Sequence, residues 1–270
     1  MYSILMPVYQ GDSSNNLIDA IDDLLQQTLP FDDFVIVIDG PIGESIESVI
    51  NKINSSKVNI LRLDNNVGLG EALNKGLNVV KNRLVMRMDA DDRCPIDRAE
   101  KLYKEWKKTS AGIAAVGSYI AEFEDNPLEC CRVAKYPHKV IALKQYFYTR
   151  DPIGHASVMF DKDLVQSVGG YMDCPYFEDT YLWLRLINAG CGLKSIPEEL
   201  YFARIGSGFH ERRSGFKYMI VELRCFFLFR KERLISIESY LFNISFRPII
   251  RLLPNLLLKR LYDYILRKKI

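Results

Sequence analysis

The chain has 270 residues, 48% of them apolar and 26% charged. That is enough for a full hydrophobic core with one appendage, and it excludes a disordered chain. The net charge of +2 hides an asymmetry: residues 212–270 carry 14 Lys and Arg against 4 Asp and Glu, while residues 1–211 carry 22 against 30. An acidic body with a basic tail points to an anionic partner for the tail, either a membrane or a nucleic acid.

The elements follow in chain order. Tyr2–Tyr9 reads as a buried strand ending at a turn. Leu17, Ile21, Leu24 and Leu25 repeat at helical spacing behind a cap at Ser13 or Ser14. Phe34–Ile38 is a second strand, broken by Asp39-Gly40-Pro41. Ile46, Val49, Ile50 and Ile53 form a second helical face, Val58–Leu63 a third strand, Gly70–Val80 a third helix and Leu84–Met88 a fourth strand. A further helix is expected near Pro95. Strands alternating with helices imply right-handed βαβ units and a largely parallel sheet. Ligands bind beyond the carboxyl ends of such strands, where Tyr9, Asp39 and Asp89 fall.

The second half reads as mixed α/β, with strands at Ala114–Phe123 and Ser157–Phe160 and a helix at Glu178–Ala189. From Arg213 onward the pattern is helical and rich in Phe, Leu, Ile and Arg. Near the end, Leu252, Leu253, Leu256, Leu257, Leu261 and Ile265 form a stripe interrupted by Pro254, with Lys259, Arg260, Arg267, Lys268 and Lys269 among them. Apolar residues between basic ones favour a membrane face over nucleic acid. No run of about 18 apolar residues suggests a transmembrane helix. The six cysteines contain no Cys-x-x-Cys pair, which argues against zinc. With no signal-peptide pattern at the start, the expected setting is a reducing cytoplasm with free thiols.

The densest chemical signal is Met88-Asp89-Ala90-Asp91-Asp92. Three carboxylates in four positions repel one another unless a cation compensates. Magnesium suits such a site, since it takes one or two carboxylates plus substrate phosphate oxygens. A solvated acidic turn capping the next helix is the competing reading. The strand-end position, beside the other strand-end residues, favours the cation.

Taken together, these stretches resemble glycosyltransferase family 2, whose members have the GT-A fold. The resemblance is carried by Ser3-Ile4-Leu5-Met6-Pro7-Val8-Tyr9, Ile38-Asp39-Gly40-Pro41-Ile42, Asn66 to Gly76, and Arg87 to Asp92 with Arg98 following. It continues in His155-Ala156-Ser157-Val158-Met159, Gly169-Gly170-Tyr171 and Glu178-Asp179 with Trp183 and Arg185. The blocks keep the family's order across residues 3–205. The wording Asp39-Gly40-Pro41-Ile42 and Gly68-Leu69-Gly70-Glu71-Ala72-Leu73-Asn74 is similar to a bacterial branch that builds O-antigen and exopolysaccharide repeat units. β-1,3 hexose transfer to a lipid-diphosphate-linked N-acetylhexosamine is a common activity there.

The resemblance implies a division into a GT-A catalytic domain over residues 1–211 and a basic amphipathic helical region over 212–270. Within the first, 1–110 would bind the nucleotide sugar and 111–211 the acceptor. Tyr9 and Asp39 would hold the base, by stacking and by accepting an N–H; a core-edge tyrosine and a turn aspartate are the plainer readings. Where the family often has a second acidic residue before Asp39, this chain has Ile38. Pro7 and Arg87 go with the nucleotide-sugar site. Asn66, Gly68 and Asn74 would shape the donor-site loop, or serve helix packing. Asp89 would face the ribose or the metal, Asp91 would bind Mn²⁺ or Mg²⁺ on the donor diphosphate, and Asp92 would assist. Related enzymes use a histidine near His210 for the metal. Asp179 would be the catalytic base with Glu178 positioning the acceptor or the loop, unless the pair merely caps a helix. Arg98 and Arg185 would contact diphosphate or pair with carboxylates. His155 would line the acceptor pocket or sit in the core or at the surface. Trp183, one turn from Asp179, would stack on a sugar or fill the core.

The expected donor is UDP-glucose or UDP-galactose, and the expected acceptor an undecaprenyl-type lipid diphosphate at the inner face of the plasma membrane. Two other classes compete. A nucleotidyltransferase would use the same carboxylates, but no Gly-rich, basic phosphate loop stands near the N-terminus. A non-catalytic binding module would not need Asp91 and Asp179.

Overall fold

The computed structural model describes residues 1–109, 112–138, 151–206 and 215–251. Eight strands form one sheet: β1 (Ser3–Val8), β2 (Asp33–Ile38), β3 (Val58–Arg62), β4 (Leu84–Arg87), β5 (Ile113–Phe123), β6 (Arg132–Ala134), β7 (Met159–Asp161) and β8 (Gly192–Arg204). Their order is β3-β2-β1-β4-β7-β5-β6, with β8 on β5. The first four are mutually parallel, joined through α1 (Ser14–Leu25), α2 (Glu44–Asn51) and α3 (Leu69–Leu77). The strands β7 and β6 pair antiparallel with β5, whereas β8 runs parallel to it along its other edge.

Both faces of the sheet are covered, which is why β1 and β2 read as unbroken apolar runs. Alternation within those runs sorts side chains between two cores. Leu5, Val35 and Val37 pack with Ala72, Leu73 and Leu77 of α3, and with Leu182 and Trp183 of α6 (Glu178–Asn188). Ile4, Met6, Phe34 and Ile36 pack against Leu17, Ile21 and Leu24 of α1 and Leu102 of α4 (Arg98–Lys108). A short α5 (Lys162–Ser167) starts where Asp161 caps the Asp163 and Leu164 N–H groups.

The helical region is divided into α7 (Gly215–Lys231) and α8 (Ile237–Arg251). Tyr218, Cys225, Phe226 and Phe229 of α7 join the same core as α6. The α7–α8 contact is fixed by buried Glu222, which accepts from Arg247 at 2.6 Å and Arg251 at 2.9 Å. No described helix is long and apolar enough to cross a membrane.

Several features depart from the sequence reading: the short β6 and α5 carry no marked periodicity, and the strand expected from Ser157 begins at Met159. The thirteen-residue β8 was not anticipated, because Pro197-Glu198-Glu199 interrupts its alternation; its register with β5 shifts at Ser118/Tyr119 and Tyr119/Ile120. The helix expected near Pro95 begins at Arg98.

Gly76 fixes how closely α3 lies on the sheet. A Cβ there would overlap Leu5 Cδ1 and stand 2.8 Å from Val37 Cγ2. Gly76→Val should therefore destabilise the protein by about 1–3 kcal/mol through overpacking. Chemical denaturation measures this, and an unchanged midpoint would contradict the close packing.

Candidate active site

β2 and β4 flank β1 on opposite sides, and sheets of this kind bind ligands in a crevice beyond the carboxyl ends of such strands. Tyr9 follows β1 and is 44% exposed, its ring lying over Gly11. Pro7, in β1, pairs in register with Val37. Asp39 follows β2 and is buried, with Oδ1 accepting from the Val67 N–H at 2.7 Å and Oδ2 from the Gly68 N–H at 3.0 Å. Asn66 donates to the Asp39 carbonyl at 3.2 Å. Gly40, at φ +83, lets this contact form, since a Cβ would lie 2.5 Å from the Asn66 nitrogen. Asp39 thus builds the 66–68 loop, and a base N–H would share its oxygens.

The acidic loop follows β4. Arg87, buried, grips Asp89 with two parallel bonds of 2.6 and 3.0 Å. Burial opposes the Arg87 charge, but Asp89, with Tyr201 and Tyr171, together more than offset it and hold the guanidinium above its ordinary range. Buried Asp92 accepts from the Tyr201 hydroxyl at 2.6 Å and the Arg204 N–H at 2.7 Å. Arg204 Nε also donates to the Asp91 carbonyl at 3.1 Å. Arg98 does not reach the crevice. It is fully buried, donates to the Arg87 and Ala156 carbonyls at 2.7 and 3.0 Å, and stands 4.8 Å from the Tyr201 ring centroid.

Negative charge in this loop is crowded. Burial, then Asp91 and Asp89, hold the Asp92 carboxyl well above its usual range. Burial also lifts Asp12 to about 7, helped by Asp91 and Asp89 and opposed by the Tyr9 N–H that it accepts. Among the described residues no three His, Cys, Asp or Glu side chains converge as a complete cation cage. The crowding fits a cation held by one or two of these carboxylates and completed by ligand oxygens. His210 lies outside the described residues.

On the other side, Glu178 and Asp179 open α6. Asp179 Oδ1 accepts from the Thr180 N–H at 2.7 Å, and Thr180 Oγ1 donates to Asp151 at 2.7 Å. Burial raises the Glu178 carboxyl. Buried Tyr171 joins the halves: burial raises its phenol, Arg87 opposes, and Asp179 and Asp89 both add to the rise. The start of α6 also lies against the start of α3, since a Cβ on Gly70 would stand 3.3 Å from Glu178 Cγ.

Several expected acceptor contacts lie inside the protein instead. Trp183 is fully buried, in edge contact with His155 at 5.9 Å, so it offers no stacking face. Arg185 is buried over Tyr181 and donates to the Val168 carbonyl and, at 2.6 Å, to that of Gly170. His155 is buried, with Nε2 2.8 Å from the Tyr171 hydroxyl. Asn74 has its carboxamide on the Tyr171 main chain, at 2.8 and 2.6 Å. Apolar neighbours at helical spacing could have warned of this for Trp183 and Arg185. Sequence reasoning did not single out Asp12, Tyr201 or Arg204, because no local motif marks them.

Burial, then Arg87, pushes His155 well below its ordinary pKa of 6.5. The unfolded chain therefore binds this proton more readily, and stability is lost as pH falls below about 6.5. Against His155→Gln, the wild type should lose about 1 kcal/mol more between pH 7 and pH 5.5. Denaturation curves at both pH values check this, since the raised carboxyls act in both proteins and cancel; parallel losses would contradict it.

Residues 3–167 match the profile of Glycosyl transferase family 2. The amylovoran biosynthesis glycosyltransferase AmsE of Erwinia amylovora is 32% identical, over 97% of this chain and 98% of its own. An Escherichia coli UDP-Gal:α-D-GlcNAc-diphosphoundecaprenol β-1,3-galactosyltransferase is also 32% identical, over 99% and 97%. In fold, the chain is similar to a Pyrobaculum calidifontis mannosyltransferase solved with GDP-Man and Mn²⁺, at TM-score 0.64 and 15% identity, covering 90% of this chain and 68% of that one. The strand-end site, the profile match and the near full-length relatives agree: the chain belongs to glycosyl transferase family 2, has the GT-A fold, and falls in the bacterial branch that makes O-antigen and exopolysaccharide.

Proposed function

We propose that this glycosyltransferase moves glucose or galactose from a UDP-sugar to an N-acetylhexosamine on an undecaprenyl-type diphosphate, inverting the anomeric centre and forming a β-1,3 linkage. The observation that carries this reading is the set of carboxylates held at the strand ends, Asp39 on the 66–68 loop and Asp89 in the fork of Arg87, with Glu178 at the start of α6 facing Gly70 of α3. The full-length similarity to a galactosyltransferase acting on a lipid diphosphate supports the substrate class.

Each residue then has a task. The exposed Tyr9 ring offers a face to the base, and Asp39, which pins the 66–68 loop, would accept from the base N–H. The Arg87 fork aims Asp89 at the ribose or the cation. Asp91, helped by Asp89 and Asp92, would hold Mn²⁺ or Mg²⁺, which supplies neutralisation of the charge developing on the departing diphosphate. Asp179 accepts the proton of the acceptor hydroxyl as that oxygen bonds to the anomeric carbon. Attack comes from the face opposite the bond to the diphosphate, so an α-linked donor yields a β-linked product.

The site also has to meet a lipid. Leu241, Phe242, Phe246 and Ile249 of α8 are exposed, and residues 212–270 carry an excess of ten basic charges. Apolar contact plus attraction to anionic lipid docks peripheral enzymes, each basic residue near the surface adding about 1 kcal/mol. Docking on the cytoplasmic leaflet would bring the crevice to its acceptor. The leucine stripe from Leu252 to Ile265 lies outside the described residues.

A transfer assay with UDP-sugars and a synthetic N-acetylhexosamine–diphosphate–lipid tests the chemistry. Activity should need Mn²⁺ or Mg²⁺, and Asp91→Asn should lose most of it. Asp179→Asn should keep donor binding and lose about 10²-fold or more in turnover. Full turnover in excess chelator removes the metal role, and near-normal turnover in Asp179→Asn moves the base to Glu178.

Sedimentation with vesicles tests the docking. The protein should pellet with anionic vesicles at low salt and be released at high salt. Removing residues 252–270, which keeps Arg247 and Arg251 on Glu222, should weaken that binding while sparing donor hydrolysis. Indifference to anionic vesicles at low salt would end the docking proposal.

A further inference from the structure

One face of α3 touches the acceptor half of the site twice, one turn apart. At Gly70 the contact is steric: a Cβ there would lie 3.3 Å from Glu178 Cγ and 3.4 Å from Tyr171 Cβ. At Asn74 it is a paired hydrogen bond. The side-chain oxygen accepts from the Tyr171 N–H at 2.8 Å, and the side-chain N–H donates to the Tyr171 carbonyl at 2.6 Å. A carboxamide is the neutral side-chain group that can donate and accept side by side, as a neighbouring strand would.

The turn that receives this pair is shaped for it. Gly169 and Gly170 sit at φ +90 and +66, and a Cβ on Gly170 would stand 2.5 Å from Asn74 Oδ1. From the other side Arg185 binds the carbonyls of Val168 and Gly170. The turn is therefore held between α3, which begins at the donor loop, and α6, which begins with Glu178 and Asp179. Its Tyr171 side chain reaches His155 and lies in the field of Arg87, Asp89 and Asp179.

We propose that Asn74 is a positioning residue: by binding both main-chain groups of Tyr171 it sets the distance and angle between the donor-side loop and the Glu178-Asp179 helix start. It would act on transfer without touching the donor, and in this it rests on the glycosyl-transfer reading above. A mispositioned base costs turnover while leaving ground-state binding intact. Its identity also explains why the two glycines precede Tyr171.

Two readouts test this. The first is hydrogen exchange by mass spectrometry. Asn74→Ala should speed exchange in peptides covering 168–179 and leave those covering 113–123 unchanged. This arm needs no substrate, so it stands even if the wild type transfers none of the sugars offered, a result that would count against the transfer reading alone. The second is kinetics with the best UDP-sugar. Asn74→Ala should lower kcat for transfer about tenfold or more, with the dissociation constant for UDP within about twofold of wild type. Asn74→Ser keeps one group that can donate or accept and should fall between wild type and Asn74→Ala, and it serves as the test variant if the alanine form does not fold. Unchanged exchange over 168–179, a wild-type kcat, or a loss of UDP binding in step with kcat would each overturn the proposal, the last by returning Asn74 to the donor site.

Discussion

The acidic loop depends on the ion pair between buried Arg87 and half-buried Asp89. Carboxylates this close would separate or protonate if water alone screened them. Inside the protein, Arg87 forks onto Asp89 and Tyr201 donates to Asp92, while Arg98 lies against the other side of the Tyr201 ring. Breaking such a pair leaves an uncompensated buried charge, which costs more than the intact pair contributes. The loop geometry is thus tied to its floor, and the floor is not local. Tyr201 and Arg204 arrive on β8, which is placed by its pairing with β5. The second half of the chain therefore also supports the carboxylates of the acidic loop.

That dependence runs in both directions across the crevice. Helix α3 packs on the sheet through Gly76 and meets Glu178 and Tyr171 through Gly70 and Asn74. Arg185, buried in α6, ties the same turn from behind. Glycosyl transfer by in-line attack needs a base, an anomeric carbon and a leaving group in one line, so the two halves must hold their separation closely. In the proposed reaction that positioning falls to small residues and main-chain hydrogen bonds.

The helical region has two contrasting faces. Its inner face is core: Phe226 and Phe229 pack with α6, and Glu222 binds two arginines out of water. Its outer face shows Leu241, Phe242, Phe246 and Ile249 to solvent. Two of the region's basic residues, Arg247 and Arg251, are thus spent on Glu222, and a count of charges overstates what the surface presents.

The sequence by itself determined the parallel half of the sheet, because strands buried on both faces must be continuous apolar runs between amphipathic helices. It also located Tyr9, Asp39, Asp89 and Asp179, since turns at strand ends and helix starts leave local signatures. Only the tertiary structure decided what those neighbourhoods contain. Trp183 and Arg185 look available beside Asp179 along the chain, yet α6 is packed between the sheet and α7 and buries them. Arg98 follows the acidic loop, but the loop folds over it. Tyr201 and Arg204 stand more than 100 residues from Asp92, and β8 brings them there by a bulged pairing around Pro197 that no simple alternation encodes. Periodicity and turn chemistry are properties of neighbours along the chain, whereas burial and charge compensation belong to neighbours in space.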